Sequence, residues 1–263
     1  MNEPCLFESR KVTTDTTSLV SYIPIPGFGV LPVNAFVIHA KQPMLVDTGM
    51  AAVRKDFLGE LKSIIELKDL RWIWITHADM DHLGNLEAIL AEAPNARVIT
   101  SYIGMAKMGL QGIALDRVYL LNSGQTLDIG DRKIRAVSPP TFDAPETTGL
   151  FDQKTGALFS ADCFGAILAK PVETALEINS QDLLEGGQLW ASIDAPWLGI
   201  VDPGKFKNSI LSLNDLDPQV ILSAHLPVAT GMNSILFDNL SEAYKTPRFV
   251  GPDQQALEKM MVA

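Results

Sequence analysis

A dense group of metal-binding residue types directly follows an apolar segment near residue 75. Residues 71–75 have the composition of a buried strand, and residues 76–82 follow with the pattern His-x-Asp-x-Asp-His. Carboxylates buried next to such a strand need compensation, because an unpaired buried charge is very costly. We therefore predict a cation site here, with a solvated acidic loop as the alternative. The candidate ligands are His77, Asp79, Asp81 and His82.

Composition excludes several classes of partner. The chain has 263 residues, a net charge of −10 and no cluster of Lys or Arg, so nucleic acid and anionic membranes are poor partners. Its two cysteines, Cys5 and Cys163, provide neither a disulfide framework nor a thiolate zinc site. No apolar run has the length of a signal peptide or a membrane span, so we expect a cytoplasmic protein.

Strands and helices alternate along the first half of the chain, which predicts α/β organisation. The predicted strands are 18–23, 34–39, 43–48, 72–75, 96–100, 118–120, 125–129, 133–137, 149–152, 156–160 and 218–223. The predicted helices are 53–67, 85–92, 183–190, 203–213, one before Pro247 and 254–261. We expect one domain, 1–263, with a core at about 15–230 and a helical C-terminal extension at 232–263.

A ligand residue type follows three of the predicted strands, namely His77, Asp162 and His225. Strand carboxyl ends meet at one edge of an α/β sheet, so these side chains should converge with the other residues of segment 76–82. Six candidate ligands are too many for one tetrahedral ion. They suit two ions that share a carboxylate.

The order of these features resembles the metallo-β-lactamase superfamily. A strand leads to Asp-Thr-Gly at 47–49, and the His-x-Asp-x-Asp-His segment, Asp162 and His225 follow. The chain is most similar to the di-iron core domain of flavodiiron and oxygen-binding di-iron proteins, which have a carboxylate where Asp79 stands. Residues 158–165, Leu-Phe-Ser-Ala-Asp-Cys-Phe-Gly, also resemble that subgroup. The resemblance implies an αββα sandwich with the site along one edge.

The resemblance also implies a role for each residue. Metal one would be bound by His77 and Asp79, metal two by Asp81, His82 and His225, and Asp162 would bridge the two ions. Asp47 would steady the ligand segment from outside. The subgroup has a third metal-one histidine where this chain has Asp143. Either Asp143 would complete that site, with Glu146 as the fallback, or metal one would be short of a ligand and weakly bound or absent. The subgroup also has Glu at the position of Asp79, and the Asp79 side chain is one methylene shorter than that Glu.

Four carboxylates and three neutral imidazoles balance two divalent ions, and so many oxygens favour iron, with manganese or zinc as alternatives. The resemblance implies a non-haem di-iron protein that binds or reduces dioxygen or nitric oxide. We expect no FMN-binding module in this protein and therefore expect electrons from a separate redox partner protein. The alternative is a hydrolase that cleaves an ester, lactone, thioester or phosphoester through a metal-bridging hydroxide, with Asp81 as the catalytic residue that guides its proton. Homodimerisation is left open.

Overall fold

The structure is a computed structural model that describes residues 3–262. Its first sheet contains eight strands: β1 (Cys5–Leu6), β2 (Arg10–Lys11), β3 (Thr16–Ile25), β4 (Gly29–Ile38), β5 (Met44–Val46), β6 (Trp72–Trp74), β7 (Arg97–Thr100) and β8 (Val118–Leu120). The order is β1-β3-β4-β5-β6-β7-β8, and β2 pairs with β3. β5 to β8 run parallel to one another, whereas β3, β4 and β5 form antiparallel pairs.

The second sheet contains six strands: β9 (Thr126–Asp128), β10 (Lys133–Val137), β11 (Gly149–Asp152), β12 (Ala157–Phe159), β13 (Val220–Leu222) and β14 (Ala229–Thr230). Their order is β14-β13-β12-β11-β10-β9. β12 and β13 are parallel, and the other neighbouring pairs are antiparallel. The predicted strands 149–152 and 156–160 therefore correspond to β11 and β12, which form an antiparallel pair.

The helices are α1 (Arg54–Ile64), α2 (Met80–Leu83), α3 (Leu86–Glu92), α4 (Tyr102–Leu110), α5 (Ser180–Asp194), α6 (Pro203–Asn214), α7 (Asn233–Glu242) and α8 (Gln254–Val262). Short 3-10 turns cover Ala51–Val53, Leu67–Asp69, Ala175–Glu177, Pro196–Ile200 and Ala243–Lys245. Within residues 3–262, no helix combines the length and apolarity needed to cross a bilayer. Asp202 caps the N-terminus of α6, because its side chain accepts a hydrogen bond from the Lys205 backbone N–H.

Both faces of the central strands are buried, which explains their nearly continuous apolar sequences. Successive side chains of a strand point to opposite faces. In β4, Phe36 and Ile38 point into the core between the two sheets, while Ala35 and Val37 point towards the helices on the other face. The core between the sheets is completed from the second sheet by Ile134, Ala136, Leu150, Phe159 and Leu222.

Helices cover the outer face of each sheet. α1, α3 and α4 contribute Phe57, Leu61, Ile89, Leu90 and Met108 to the core against the first sheet. α5, α6 and α7 contribute Leu183, Phe206, Ile210, Leu213, Leu236, Phe237 and Leu240 to the core against the second sheet. The layers are thus helix, sheet, sheet, helix, which confirms the predicted αββα sandwich.

Two segments of the structure are more helical than the sequence pattern indicated. Residues 80–83, for which no helix was predicted, form the single turn α2. The helix predicted at 183–190 is longer in the structure, where α5 runs from Ser180 to Asp194. Both changes matter for the site, because a helix fixes the direction of each side chain more tightly than a loop does.

Candidate metal centre

Three candidate ligands lie at the same sequence distance past the end of a strand. His77, Asp162 and His225 each stand three residues after the last residue of β6, β12 and β13. β6 lies in the parallel part of the first sheet, and β12 and β13 are parallel neighbours in the second. The carboxyl ends of both sheets therefore open onto one edge of the sandwich, as is usual for sites in α/β folds.

Asp162 lies at the centre of the cluster. Its Oδ2 is 3.4 Å from His77 Nε2, whereas its Oδ1 is 3.2 Å from His82 Nε2 and 3.3 Å from His225 Nε2. The two oxygens of one carboxylate thus face His77 on one side and the pair His82 and His225 on the other. This is the arrangement expected of a carboxylate that serves two positions at once.

Two smaller groups of side chains flank this carboxylate. On one side, Asp81 Oδ2 is 3.4 Å from His82 Nε2 and 3.5 Å from His225 Nε2. On the other side, candidate ligand atoms of His77, Asp79 and Asp143 all lie within 4.8 Å of one another. The structure therefore brings together all seven residues that the sequence nominated.

Asp79 and Asp143 reach the cluster from different segments. Asp79 precedes α2 at the N-cap position, yet its side chain accepts no capping hydrogen bond and is left available to the cluster. Asp143 Oδ1 lies 3.9 Å from His77 Nε2. The fallback residue Glu146 points elsewhere, because its Oε1 is 2.6 Å from Lys107 Nζ.

Each imidazole is held by a hydrogen bond on its outer nitrogen. His225 Nδ1 donates to the backbone carbonyl of Pro32 at 2.7 Å, and His82 Nδ1 is 2.9 Å from Asp47 Oδ2. Thr76 Oγ1 is 3.1 Å from His77 Nδ1. Because Nδ1 of each ring makes this contact, Nε2 faces the centre of the cluster. Metal-binding histidines are commonly oriented by such a hydrogen bond on the nitrogen that does not bind the metal.

Asp47 connects the ligand segment to the end of β5. Besides His82, it accepts a hydrogen bond from the Thr76 backbone N–H at 2.9 Å. Its backbone lies in the left-handed region at φ 56°, and Ala161, just before Asp162, lies there at φ 52°. Such conformations are costly for residues with a side chain, and they concentrate at functional sites.

The charges within the cluster shift the pKa values of its own side chains. Burial disfavours the charged form of His225, but the negative charges of Asp162 and Asp81 outweigh it and raise the pKa of this imidazole to about 9. The pKa of His82 is likewise raised, against burial, by Asp81, Asp162 and Asp47. The pKa of Asp162 falls, despite burial, because the positive charges of His225, His77 and His82 stabilise the carboxylate. Protons therefore occupy His82 and His225 when no cation does.

The donor set fits metal ions. Among the described residues, His82 Nε2 and Asp162 Oδ1 are buried side-chain atoms without a hydrogen-bond partner, although they face each other. Buried polar atoms rarely lack a hydrogen-bond partner unless an ion or a water molecule binds them. Imidazole nitrogens and carboxylate oxygens together are ligands that iron, manganese and zinc all accept.

Two residues of α5 make contacts at the site that the sequence did not indicate. Trp190 donates a hydrogen bond from Nε1 to the backbone carbonyl of Asp162 at 3.1 Å, and its ring lies 4.6 Å from that of His225. Asp194 lies beside Asp143 and Asp162, with ligand atoms of the three within 4.8 Å of one another. The spacing of Gly186, Trp190 and Asp194, four residues apart, was the available signal, because it places all three on one helix face.

The fold and the donor cluster together define a metallo-β-lactamase-type protein. A family model for the ODP family of β-lactamases matches residues 31–189, which is more than half of the chain. The chain therefore belongs to the ODP family of β-lactamase-like proteins. This confirms the predicted membership of the metallo-β-lactamase superfamily.

Similar sequences come from flavin-containing redox proteins. A protein of Nostoc sp. described as a diflavin flavoprotein is 34% identical over 135 residues, which is 50% of this chain and 23% of that protein. The anaerobic nitric oxide reductase flavorubredoxin of Salmonella typhi is 28% identical over 173 residues, which is 65% of this chain and 36% of that protein. This chain thus spans only a quarter to a half of the curated relatives it matches.

Solved structures show the same fold. A flavo-di-iron protein variant from Thermotoga maritima superposes with a TM-score of 0.78 at 21% identity, covering 93% of this chain and 62% of that one. Rubredoxin oxygen:oxidoreductase from Desulfovibrio gigas gives a TM-score of 0.76 at 19% identity, with 90% and 61% covered. The chain has the metallo-β-lactamase-type fold of the flavodiiron core, as the sequence resemblance implied.

Proposed function

We propose that this chain holds a dinuclear metal centre, most naturally of iron, that binds or reduces dioxygen or nitric oxide with electrons from a redox partner. The observation that carries this proposal is the division of the Asp162 carboxylate between His77 on one side and the pair His82 and His225 on the other. When bound, a pair of iron ions supplies electrons and open coordination positions for a small oxidant.

Each side chain has a defined task in this proposal. The first ion is held by His77, Asp79 and Asp143, the second by Asp81, His82 and His225, and Asp162 binds both. Asp47 and the Pro32 carbonyl fix the orientation of the imidazoles through their Nδ1 atoms. Trp190 fixes the backbone at Asp162 and covers one face of His225.

Oxygen ligands outnumber nitrogen ligands in this set, which favours iron or manganese over zinc. The carboxylate of Asp79 stands where a hydrolase of this superfamily would have a second histidine. Two of the similar proteins are named as a nitric oxide reductase and an oxygen oxidoreductase. These points support redox chemistry over the alternative of hydrolysis at a metal-bridging hydroxide.

Metal analysis with spectroscopy tests the proposal. The protein is purified without oxygen, its metals are measured, and its optical spectrum is followed as oxygen or nitric oxide is added. We expect about two irons per chain and a new absorption band, both lost in Asp162→Ala and retained in Asp116→Ala, which changes an exposed carboxylate far from the cluster in sequence. A zinc-loaded, spectroscopically silent protein that cleaves esters would overturn it.

A further inference from the structure

Asp194 is a buried carboxylate with one unpartnered side-chain oxygen. Its side chain is only 8% exposed, and Oδ2 has no hydrogen-bond partner among the described residues. In the same part of the chain, residues 3–262, no lysine, arginine or histidine forms an ion pair with it. An ionised carboxylate buried in this way is strongly destabilising unless a cation or a proton neutralises its charge.

The position of Asp194 is fixed by the close docking of α5 against the segment that carries Asp162. A Cβ atom on Gly186 would lie 2.3 Å from the Ile167 carbonyl oxygen, so only glycine permits this approach. One turn further along, Trp190 donates to the Asp162 carbonyl. One more turn places Asp194 on the same face. The helix thus aims the carboxylate at the Asp143 and Asp162 side of the cluster.

The electrostatic surroundings of Asp194 are unfavourable for an anion. It is the last residue of α5, where the helix dipole is negative. Its nearest ligand-type neighbours, Asp143 and Asp162, are also carboxylates, within 4.8 Å. A cation bound between the three carboxylates would offset these unfavourable interactions. The unpaired Oδ2, independently of the acidic grouping, indicates where such a cation would lie.

We propose that Asp194 is an additional ligand of the first metal ion, which it binds together with Asp143 and Asp162. This inference rests on the dinuclear centre proposed above. Asp194 would compensate for the histidine that Asp143 replaces in the family pattern. The first ion would then have His77 as its sole nitrogen ligand and carboxylate oxygens elsewhere, a set that selects manganese or ferrous iron over zinc.

The test measures metal binding rather than activity. Mn²⁺ binding to the full chain is measured without oxygen by titration calorimetry, and bound metal is counted after dialysis. Asp194→Asn keeps the shape and removes the anionic ligand, and Asp116→Asn is the control at an exposed carboxylate. We expect two ions in the wild-type and control proteins. In Asp194→Asn one site should weaken at least about tenfold, with the other unchanged, and Zn²⁺ should compete better at the weakened site.

Each outcome decides the question. Two ions bound to Asp194→Asn at wild-type affinity would overturn the role of Asp194 and leave the dinuclear centre standing. A wild-type protein that binds fewer than two ions would overturn both. If Asp194→Asn does not fold, a crystal structure of the Mn²⁺-soaked wild-type protein decides. An Asp194 oxygen within coordination distance of manganese supports the inference, and a carboxylate turned away refutes it.

Discussion

The metal-free protein should lose stability as the pH rises from about 6.5 to about 9. Asp162 and Asp81 overcome burial to raise the pKa of His225 from its ordinary value of 6.5 to about 9, so the folded chain holds this proton more tightly. The stability that the His225 proton contributes is complete below the pKa of this histidine in the unfolded chain. It disappears as the pH rises through the pKa of His225 in the folded chain. The difference corresponds to on the order of 3 kcal/mol. His82, whose pKa is also raised, adds to it with the same sign.

Thermal unfolding of EDTA-treated protein across about pH 6 to about pH 9.5 measures this effect. For a chain of this size, the loss should lower Tm by roughly 5–10 °C. Saturating Mn²⁺ should remove the decline, because the cation replaces the protons on the imidazoles. His225→Gln should flatten the metal-free profile, whereas His39→Gln, which changes a histidine bonded to Thr17 away from the cluster, should leave it intact.

The reasoning would be refuted by a metal-free Tm that stays constant or rises over this range in the wild-type protein. A profile identical in wild-type and His225→Gln proteins would also refute it, because the slope would then come from other groups. Asp194 adds to the expected loss of stability as the pH rises. Burial and the neighbouring Asp162 raise the pKa of this carboxyl to about 8, so its ionisation also destabilises the folded, metal-free chain as pH rises.

Three further substitutions probe the centre through metal content and calorimetric affinity. Asp162→Ala should abolish binding of both ions, since its two oxygens face His77 on one side and His82 on the other; two ions at wild-type affinity would contradict the ligand assignment. Asp143→Ala should remove the first ion selectively, and retention of both would show that water or another side chain serves there. Asp47→Asn should lower the affinity of the second site by about 10–100-fold through His82, while an unchanged affinity would show that Asp47 only shapes the turn.

The sequence alone predicted most of the fold because its strands are buried on both faces. Such strands appear as uninterrupted apolar runs that end abruptly, and the ligand residue types stand just past those ends. α4 was not predicted, because its apolar residues do not form one stripe: Tyr102, Ile103 and Leu110 are exposed while Met108 is buried. Residues on that helix follow no simple helical periodicity.

The parts of the site that the sequence left open or missed depend on tertiary contacts. Nothing local distinguishes Glu146 from Asp143, which lie three residues apart. The choice is made by Lys107 on α4, which pairs with Glu146 and leaves Asp143 to face His77. Likewise, Asp194 resembles an ordinary acid at the end of a helix until α5 docks and turns it towards Asp162. Long-range packing of this kind leaves no periodic trace in the sequence.

The distribution of carboxylates makes the two halves of the centre chemically different. The half around His82 and His225 has two imidazoles and Asp81, whereas the half around His77 has one imidazole and oxygen ligands. Four carboxylates with three neutral imidazoles balance two divalent ions. If Asp194 binds as proposed, it adds a fifth negative charge, which favours a higher positive charge on the ion nearest to it. The oxygen-rich half is therefore where an oxidised, trivalent ion would be stabilised first.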